Sequence, residues 1–329
     1  MIISRTPFRI SFFGGGTDFP DWYNKYSGKV ISTTIDKYCY ISLRKLPPFF
    51  NYNYSIKYFK KEEVKKISQI KHASVREGLK HFKHNDPMEL IHFADLPAQS
   101  GLGASSSFTV GFINSIKALQ GTRISKKNLY LEAISIEQRK IKESVGSQDQ
   151  VSAAFGGFNI INFSKNLVGE NQIEVSPVLN NKNIMKLEKS VFLVFTGFVR
   201  KAEVLEKAKI RQIKYKHEYF KQILNISHKA EEKIYSSKNI ISDFSELLQK
   251  YWWCKKKLTS NVTNPKIDAI YNHGMKNGAY SGKLLGAGAG GFMMFLIDPK
   301  KRQLFNEKFK KLTVVPVKFD NLGSQIIYH

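Results

Sequence analysis

The stretch Leu96-Pro97-Ala98-Gln99-Ser100-Gly101-Leu102-Gly103-Ala104-Ser105-Ser106-Ser107 lies between two apolar segments. Leu90 to Ala94 reads as a strand, and Phe108 to Leu119 reads as a helix. A glycine loop that runs into serines at a helix start is a physical means of holding phosphate. Glycine lets the backbone approach an anion, and the first helical turn offers unpaired N–H groups at the positive end of the dipole. The hydroxyls add donors, or an oxygen ligand for a hard cation. The same pattern also serves as a plain strand-to-helix turn with serine caps. Two sharper motifs do not fit. Gly278 to Leu284 has neither the spacing nor the last residue of a Walker A loop. Ser105, Ser106 and Ser107 lack the trailing glycine of a hydrolase elbow.

The chain has 329 residues, 42% of them hydrophobic and 13% aromatic, enough for two domains with cores of their own. No apolar run is long enough to cross a bilayer, and the N-terminus lacks a basic start followed by an apolar stretch. Cys39 and Cys254 are too few for a disulfide framework or a zinc site. A soluble, cytoplasmic protein with no membrane partner is expected. The formal charge of +25 arises from 52 Lys+Arg against 27 Asp+Glu. It is compatible with nucleic-acid binding, with attraction of small anions, or with solvated lysine faces. The lysines are dispersed rather than gathered in one tail.

Along the chain, Arg9–Phe13, Lys29–Thr34, Tyr38–Leu43 and Ser55–Phe59 read as strands, and Val75–Phe82 as a helix. A helix follows Ser125 as N-cap and runs toward Ser144. Asn166 to Asn183, rich in Asn, Gly and Pro, marks a junction and gives domains at 1–180 and 181–329. Beyond it, Ser190–Phe195 is a strongly apolar strand, Lys201–Ser237 a charged helix with room for one break, and Asp243–Leu258 another helix. Lys283–Leu285, Phe292–Ile297 and Val314–Phe319 form a β-rich end. The order lacks strict βαβ alternation, which favours two α+β domains over a doubly wound sheet.

Three further places could carry chemistry. Arg9-Ile10-Ser11-Phe12-Phe13-Gly14-Gly15-Gly16-Thr17-Asp18 sets a strand before glycines, with Asp18 suited to sugar-like hydroxyls. A glycine-rich hairpin closed by an Asx cap is the alternative. Gly286-Ala287-Gly288-Ala289-Gly290-Gly291 satisfies Gly-x-Gly-x-x-Gly, but a strand rather than a helix follows it, so a dinucleotide fingerprint is excluded. A backbone wall facing a ligand survives. Glu137 and Asp149, with the Gly146 bend between them, suit a divalent ion plus a base, or are ordinary surface acids.

Taken together, these motifs resemble the GHMP kinase superfamily over essentially the whole chain. Pro97 to Ser107 is similar to its phosphate loop, with Ala104 replacing the first serine, and Gly286 to Gly291 is similar to its bracing glycine motif. Arg9 to Asp18 has the spacing of the galactokinase substrate motif, with Gly15 and Gly16 in place of Glu-His. That departure, Gln148-Asp149-Gln150, Phe155-Gly156-Gly157 and Thr196 to Arg200 resemble instead the kinases of D-glycero-D-manno-heptose 7-phosphate. Those enzymes serve nucleotide-activated heptose synthesis for bacterial surface polysaccharide. Fucokinase-type domains share part of the pattern.

The resemblance implies an α+β, two-domain fold: an N-terminal ribosomal-protein-S5-like domain and a C-terminal ferredoxin-like one. It implies ATP as co-substrate with Mg²⁺, phosphoryl transfer to the C1 hydroxyl of a heptose 7-phosphate, and no nucleic-acid partner. Asp149 would be the base, with Arg9 offsetting charge on the phosphoryl group. Asp18, Thr17, Gly15 and Gly16 would hold the sugar, and Arg200, rather than Lys201, its phosphate. Pro97, Ser100, Gly101, Leu102, Gly103, Ala104, Ser105, Ser106 and Gly288 would hold the nucleotide, and Ser105 and Glu137 the metal.

Overall fold

The computed structural model describes residues 1–166, 169–199 and 202–329, apart from the side chains of 202–204 and 260. The strands are β1 (Ile2–Phe13), β2 (Gly28–Lys45), β3 (Tyr54–Lys57), β4 (Lys61–Val64), β5 (Met88–Ala94), β6 (Phe158–Lys165) and β7 (Asn171–Pro177). They continue with β8 (Val191–Phe195), β9 (Ser281–Leu284), β10 (Phe292–Leu296), β11 (Val314–Val315), β12 (Phe319–Asp320) and β13 (Gln325–Tyr328). The helices are α1 (Pro20–Tyr26), α2 (Ala73–His81), α3 (Ala104–Leu119), α4 (Lys126–Ile134), α5 (Gln148–Phe155) and α6 (Lys182–Ser190). After them come α7 (Ala202–Gln212), α8 (His217–Ser236), α9 (Ile240–Leu258), α10 (Pro265–Lys276) and α11 (Arg302–Lys308).

One sheet runs β13-β1-β2-β5-β3-β4, with β12 and β6 also on β2 and β7 on β6. The long β2 merges the two segments Lys29–Thr34 and Tyr38–Leu43. The gap between them is a bulge: Pro7 faces Tyr38 and Phe8 faces Ile35, so Asp36 and Lys37 are extruded from the β1 ladder. Asp36 instead exchanges hydrogen bonds with Lys318, and β12 pairs beside it. The C-terminal end of the chain is thereby stitched into the first sheet.

The second sheet runs β11-β8-β10-β9, all antiparallel. Strands β8 and β10 read as unbroken apolar runs because both of their faces are covered. Met294 and Leu296 of β10 join the large core shared with β1, β2 and α9, whereas Met293 and Phe295 point into a second cluster with Trp252, Ile267, Phe305 and Phe309. The expected charged helix is broken once, between α7 and α8. Helix α3 opens at Ala104, earlier than its apolar face suggested, because Gly103 takes φ +78 and starts the helix directly. Helix α4 begins at the expected N-cap, where Ser125 Oγ accepts from the Asn128 N–H, then widens into a π turn over Ser135–Lys140.

Phe12 joins the two regions. Its ring centroid lies 5.7 Å from Phe158 of β6, 6.1 Å from Phe244 of α9 and 6.3 Å from Phe319 of β12. A fully buried Phe cut to Ala costs about 3–5 kcal/mol. Phe12→Ala is expected to lose that much in urea-induced unfolding. A loss below about 1 kcal/mol would show that this aromatic junction contributes little.

Candidate active site

One side chain organises the site. Arg9, in β1 and only 5% exposed, donates from all three guanidinium nitrogens. Nε and Nη2 donate to Asp149 Oδ1 and Oδ2 at 2.7 and 2.8 Å, and Nη1 donates to the Gly101 carbonyl at 2.7 Å. Its backbone N–H donates to the Leu102 carbonyl at 3.0 Å. One residue thus fixes a carboxylate at the start of α5 and the glycine loop before α3. The bidentate fork sets the plane of the carboxylate as well as its distance.

The loop is locked from the other side by the Gly286–Gly291 turn, which joins β9 to β10. The Phe292 N–H donates to the Ser100 carbonyl at 3.1 Å. A Cβ on Gly291 would lie 2.1 Å from that carbonyl oxygen, and one on Gly286 would lie 2.5 Å from the Gly101 Cα. Only glycine permits this approach. The expectation of a brace, and not a dinucleotide fingerprint, matches this hairpin.

Between these parts lies a cavity of about 390 Å³. Ser100, Gly101, Gly103, Ala104, Ser105, Ser106 and Gly288 line it, as do Arg9, Asp149, Gly15, Gly16 and Asp18. Pro97 is exposed at the loop entrance, and Leu102 is fully buried in the core, so both shape the loop rather than its wall. Thr17 is also buried. Its hydroxyl donates to the Gly14 carbonyl at 2.8 Å and so holds the glycine turn from behind. Arg200 and Lys201 lie outside the described residues.

Asp18 is both wall and brace. Its Oδ1 accepts from the Gly16 N–H at 2.8 Å and its Oδ2 from the Gln148 N–H at 3.3 Å, where it caps α5. A Cβ on Gly146 would fall 1.9 Å from Oδ2. Burial pushes the Asp18 carboxyl up to about 6, with the charges of Asp149 and Glu206 adding to it.

Glu137 sits on the π turn, 1% exposed and off the cavity wall. Ser106 Oγ, not Ser105, donates to its Oε2 at 2.9 Å, and Gln150 Nε2 donates there too. Oε1 has no partner among the described residues. Burial, then Glu143, pushes this carboxyl up to about 7. A buried carboxylate with an orphaned oxygen fits a neighbouring cation. Among the described residues no three His, Cys, Asp or Glu side chains gather into a protein-only metal centre. Ser11 Oγ, Ser100 Oγ and Gln148 Oε1 are further buried polar atoms without a partner among the described residues, and these residues line the cavity.

Sequence reasoning missed Ser11, Gln148, Tyr251, Glu206, Lys209, Lys255 and Lys283, all on the cavity wall. One signal was available for Lys255. It shares the helical spacing of Leu248, Tyr251 and Leu258, an apolar face on which an ammonium has to be buried. The Lys255-Lys256-Lys257 run hid it among surface charge.

Residues 69–157 match the model of the GHMP kinases N terminal domain. Over 318 residues the chain is 31% identical to the D-glycero-alpha-D-manno-heptose 7-phosphate kinase of Campylobacter jejuni, covering 92% of this chain and 91% of that one. In fold it is similar to a D-glycero-D-manno-heptose 1-phosphate kinase from Bacteroides thetaiotaomicron (TM-score 0.79, 22% identity, 100% of both chains). It is similar also to Lactococcus lactis galactokinase complexed with galactose (TM-score 0.73, 16% identity, 98% of this chain and 94% of that one).

The Asp18 carboxyl yields a pH test. Its folded value of about 6 lies above the ordinary 3.8, so between these the folded chain holds a proton that the unfolded chain has lost. Stability from this group therefore rises as pH falls through that window. Asp18→Asn removes the titration. The stability of wild type relative to the variant is expected to improve from pH 7 to pH 4, by up to about 3 kcal/mol, in chemical denaturation. A gap that does not move with pH would assign Asp18 an ordinary environment.

Proposed function

The chain belongs to the GHMP kinases, phosphotransferases that use ATP and take an alcohol group as acceptor, and we propose that it phosphorylates the C1 hydroxyl of D-glycero-D-manno-heptose 7-phosphate to give the 1,7-bisphosphate. One observation carries the proposal. The Arg9–Asp149 pair, the α3 N-terminus and the Gly14–Gly16 turn all face one cavity. The activity named for the Campylobacter relative supports the sugar. The substitution of Gly15 and Gly16 for the Glu-His of galactokinase-type motifs leaves room there for a different polyol.

In this reading the triphosphate lies along Ser100–Ser106 and Gly288. The unpaired N–H groups at the start of α3 replace the hydroxyl that Ala104 lacks. Asp18 and the backbone of Gly15 and Gly16 orient the sugar hydroxyls, while Thr17 fixes the turn. Asp149 accepts the proton of the C1 hydroxyl as its oxygen bonds to the γ-phosphorus and the bond to ADP breaks. Arg9 holds the Asp149 carboxylate in place and offsets charge on the transferring group. Ser105 and Glu137 would hold Mg²⁺, which when bound neutralises nucleotide phosphate charge. The division at 180/181 stands as part of this proposal, with Phe319–Tyr328 returning to the N-terminal sheet.

Incubation with ATP, Mg²⁺ and a panel of sugars and sugar phosphates tests the substrate. Turnover of heptose 7-phosphate above galactose, fucose and mevalonate is expected; the reverse order would overturn it. Asp149→Asn should lower kcat by roughly 10²–10⁴-fold with the ATP dissociation constant held within about threefold. Full turnover by this variant would remove Asp149 from the role of base.

A further inference from the structure

Two lysines reach the cavity from the C-terminal elements without a carboxylate partner among the described residues. Lys283, on β9, donates from Nζ to the Ser11 and Phe12 carbonyls, both at 2.9 Å, and stands 4.1 Å over the Tyr251 ring. Lys255, on α9, donates to the Leu284 and Gly286 carbonyls at 2.8 and 2.6 Å. Each side chain is about as buried as a core leucine, at 2% and 3% exposure. An ammonium carries three N–H groups, so each has one not committed to a carbonyl. The other cations on the wall are already paired: Arg9 with Asp149, and Lys209 with Glu206 at 3.2 Å.

Carbonyl neighbours alone do not account for the charge. The irregular register between Ser11 and Phe13 frees carbonyls at the end of β1, and a neutral donor would satisfy them equally well. Burial lowers both lysines well below their ordinary range, and Lys209 acting on Lys255, and Lys255 on Lys283, lower them further. Glu206 acts in the opposite sense on Lys255, but neither lysine has a carboxylate at ion-pair distance among the described residues, and a dianion from solution beside them would favour their charged form.

We propose that Lys255 and Lys283 form the receptor for the phosphate already carried by the acceptor sugar. The chemistry required is a phosphate dianion, which either the acceptor or the nucleotide could supply. The position favours the acceptor. Lys283 rests on the strand end before the glycine turn and stacks on Tyr251, whose hydroxyl donates to the Gly15 carbonyl at 3.3 Å. The α3 N-terminus and its serines serve the nucleotide. This inference rests on the sugar-phosphate kinase reading, and it gives to Lys255 and Lys283 the phosphate for which the resemblance had offered Arg200.

Lys255→Gln and Lys283→Gln keep an N–H donor for the carbonyls and remove the charge. Circular dichroism and thermal melting confirm folding. In each variant the KM for heptose 7-phosphate should rise roughly 10- to 100-fold, with the KM for ATP within about threefold and a much smaller loss of kcat/KM on the unphosphorylated heptose. A rise in the KM for ATP with that for heptose 7-phosphate unmoved would give the charges to the nucleotide and overturn the proposal. Equal loss on both sugars would make the lysines structural and also overturn it. Inorganic phosphate provides an arm that does not depend on the substrate. It should raise the melting temperature of wild type clearly more than that of the variants, which keep only the α3 N-terminus as a phosphate site. If wild type turns over no phosphorylated sugar while this difference persists, the kinase substrate fails and the anion receptor stands. If wild type uses heptose 7-phosphate and both variants keep its KM, the receptor alone fails.

Discussion

The guanidinium of Arg9 is the constraint on which the rest of the site depends. A buried cation whose three nitrogens are all engaged cannot shift without abandoning a partner, and breaking such a pair is costly because the partner charge is left uncompensated. Arg9 therefore converts the rigidity of β1 into fixed positions for two segments far away in sequence, the loop at Gly101 and the helix start at Asp149. Gly103 lies against both members of the pair. A Cβ there would stand 3.2 Å from the Arg9 Cγ and 3.4 Å from Asp149 Oδ2. The loop, the carboxylate and the strand are thus a single packed unit, held before any ligand arrives.

A second layer of constraint comes from the C-terminal sheet. The β9–β10 hairpin presses its glycines onto Ser100 and Gly101, and Lys283 from β9 fills the carbonyls at the irregular end of β1. Asp18 ties the glycine turn to the N-terminus of α5 in the same way. Each contact joins a loop to an element whose own position is set by the core. That is how segments rich in glycine, which cost the most entropy to order, remain in place around a polar cavity.

How much of this was legible in the sequence depended on whether the signal was local. Gly101, Gly103 and the serines announced a helix N-terminus, and the apolar runs Val191–Phe195 and Phe292–Leu296 announced strands buried on both faces. The Ser125 cap was visible for the same reason, whereas one break in the charged helix was allowed for but not placed. Long-range features were not. Nothing in Thr17 itself says that its hydroxyl turns back to Gly14, and nothing in Asp36-Lys37 says that a gap between two strands is a bulge in one. The pairing of Ser106, rather than Ser105, with Glu137 depends on how the π turn rotates that carboxylate, which no spacing rule foresees. The return of β12 and β13 to the first sheet was equally hidden, since their short segments carry little pattern.

Charge illustrates the difference between composition and placement. A net +25 says only that anions are attracted, and most of the lysines that produce it face solvent, where salt screens them. The cations that matter to the cavity are few, and their effect comes from burial. Arg9 and Lys209 each face a carboxylate, so their fields are largely spent locally. Lys255 and Lys283 are held by carbonyl dipoles, which orient an ammonium but do not cancel its charge. A wall built this way stays attractive to a dianion at short range even where the surrounding surface is screened. The same carbonyls that hold the lysines also belong to the strand ends and hairpin that shape the cavity, so its charge and its geometry are set by the same contacts.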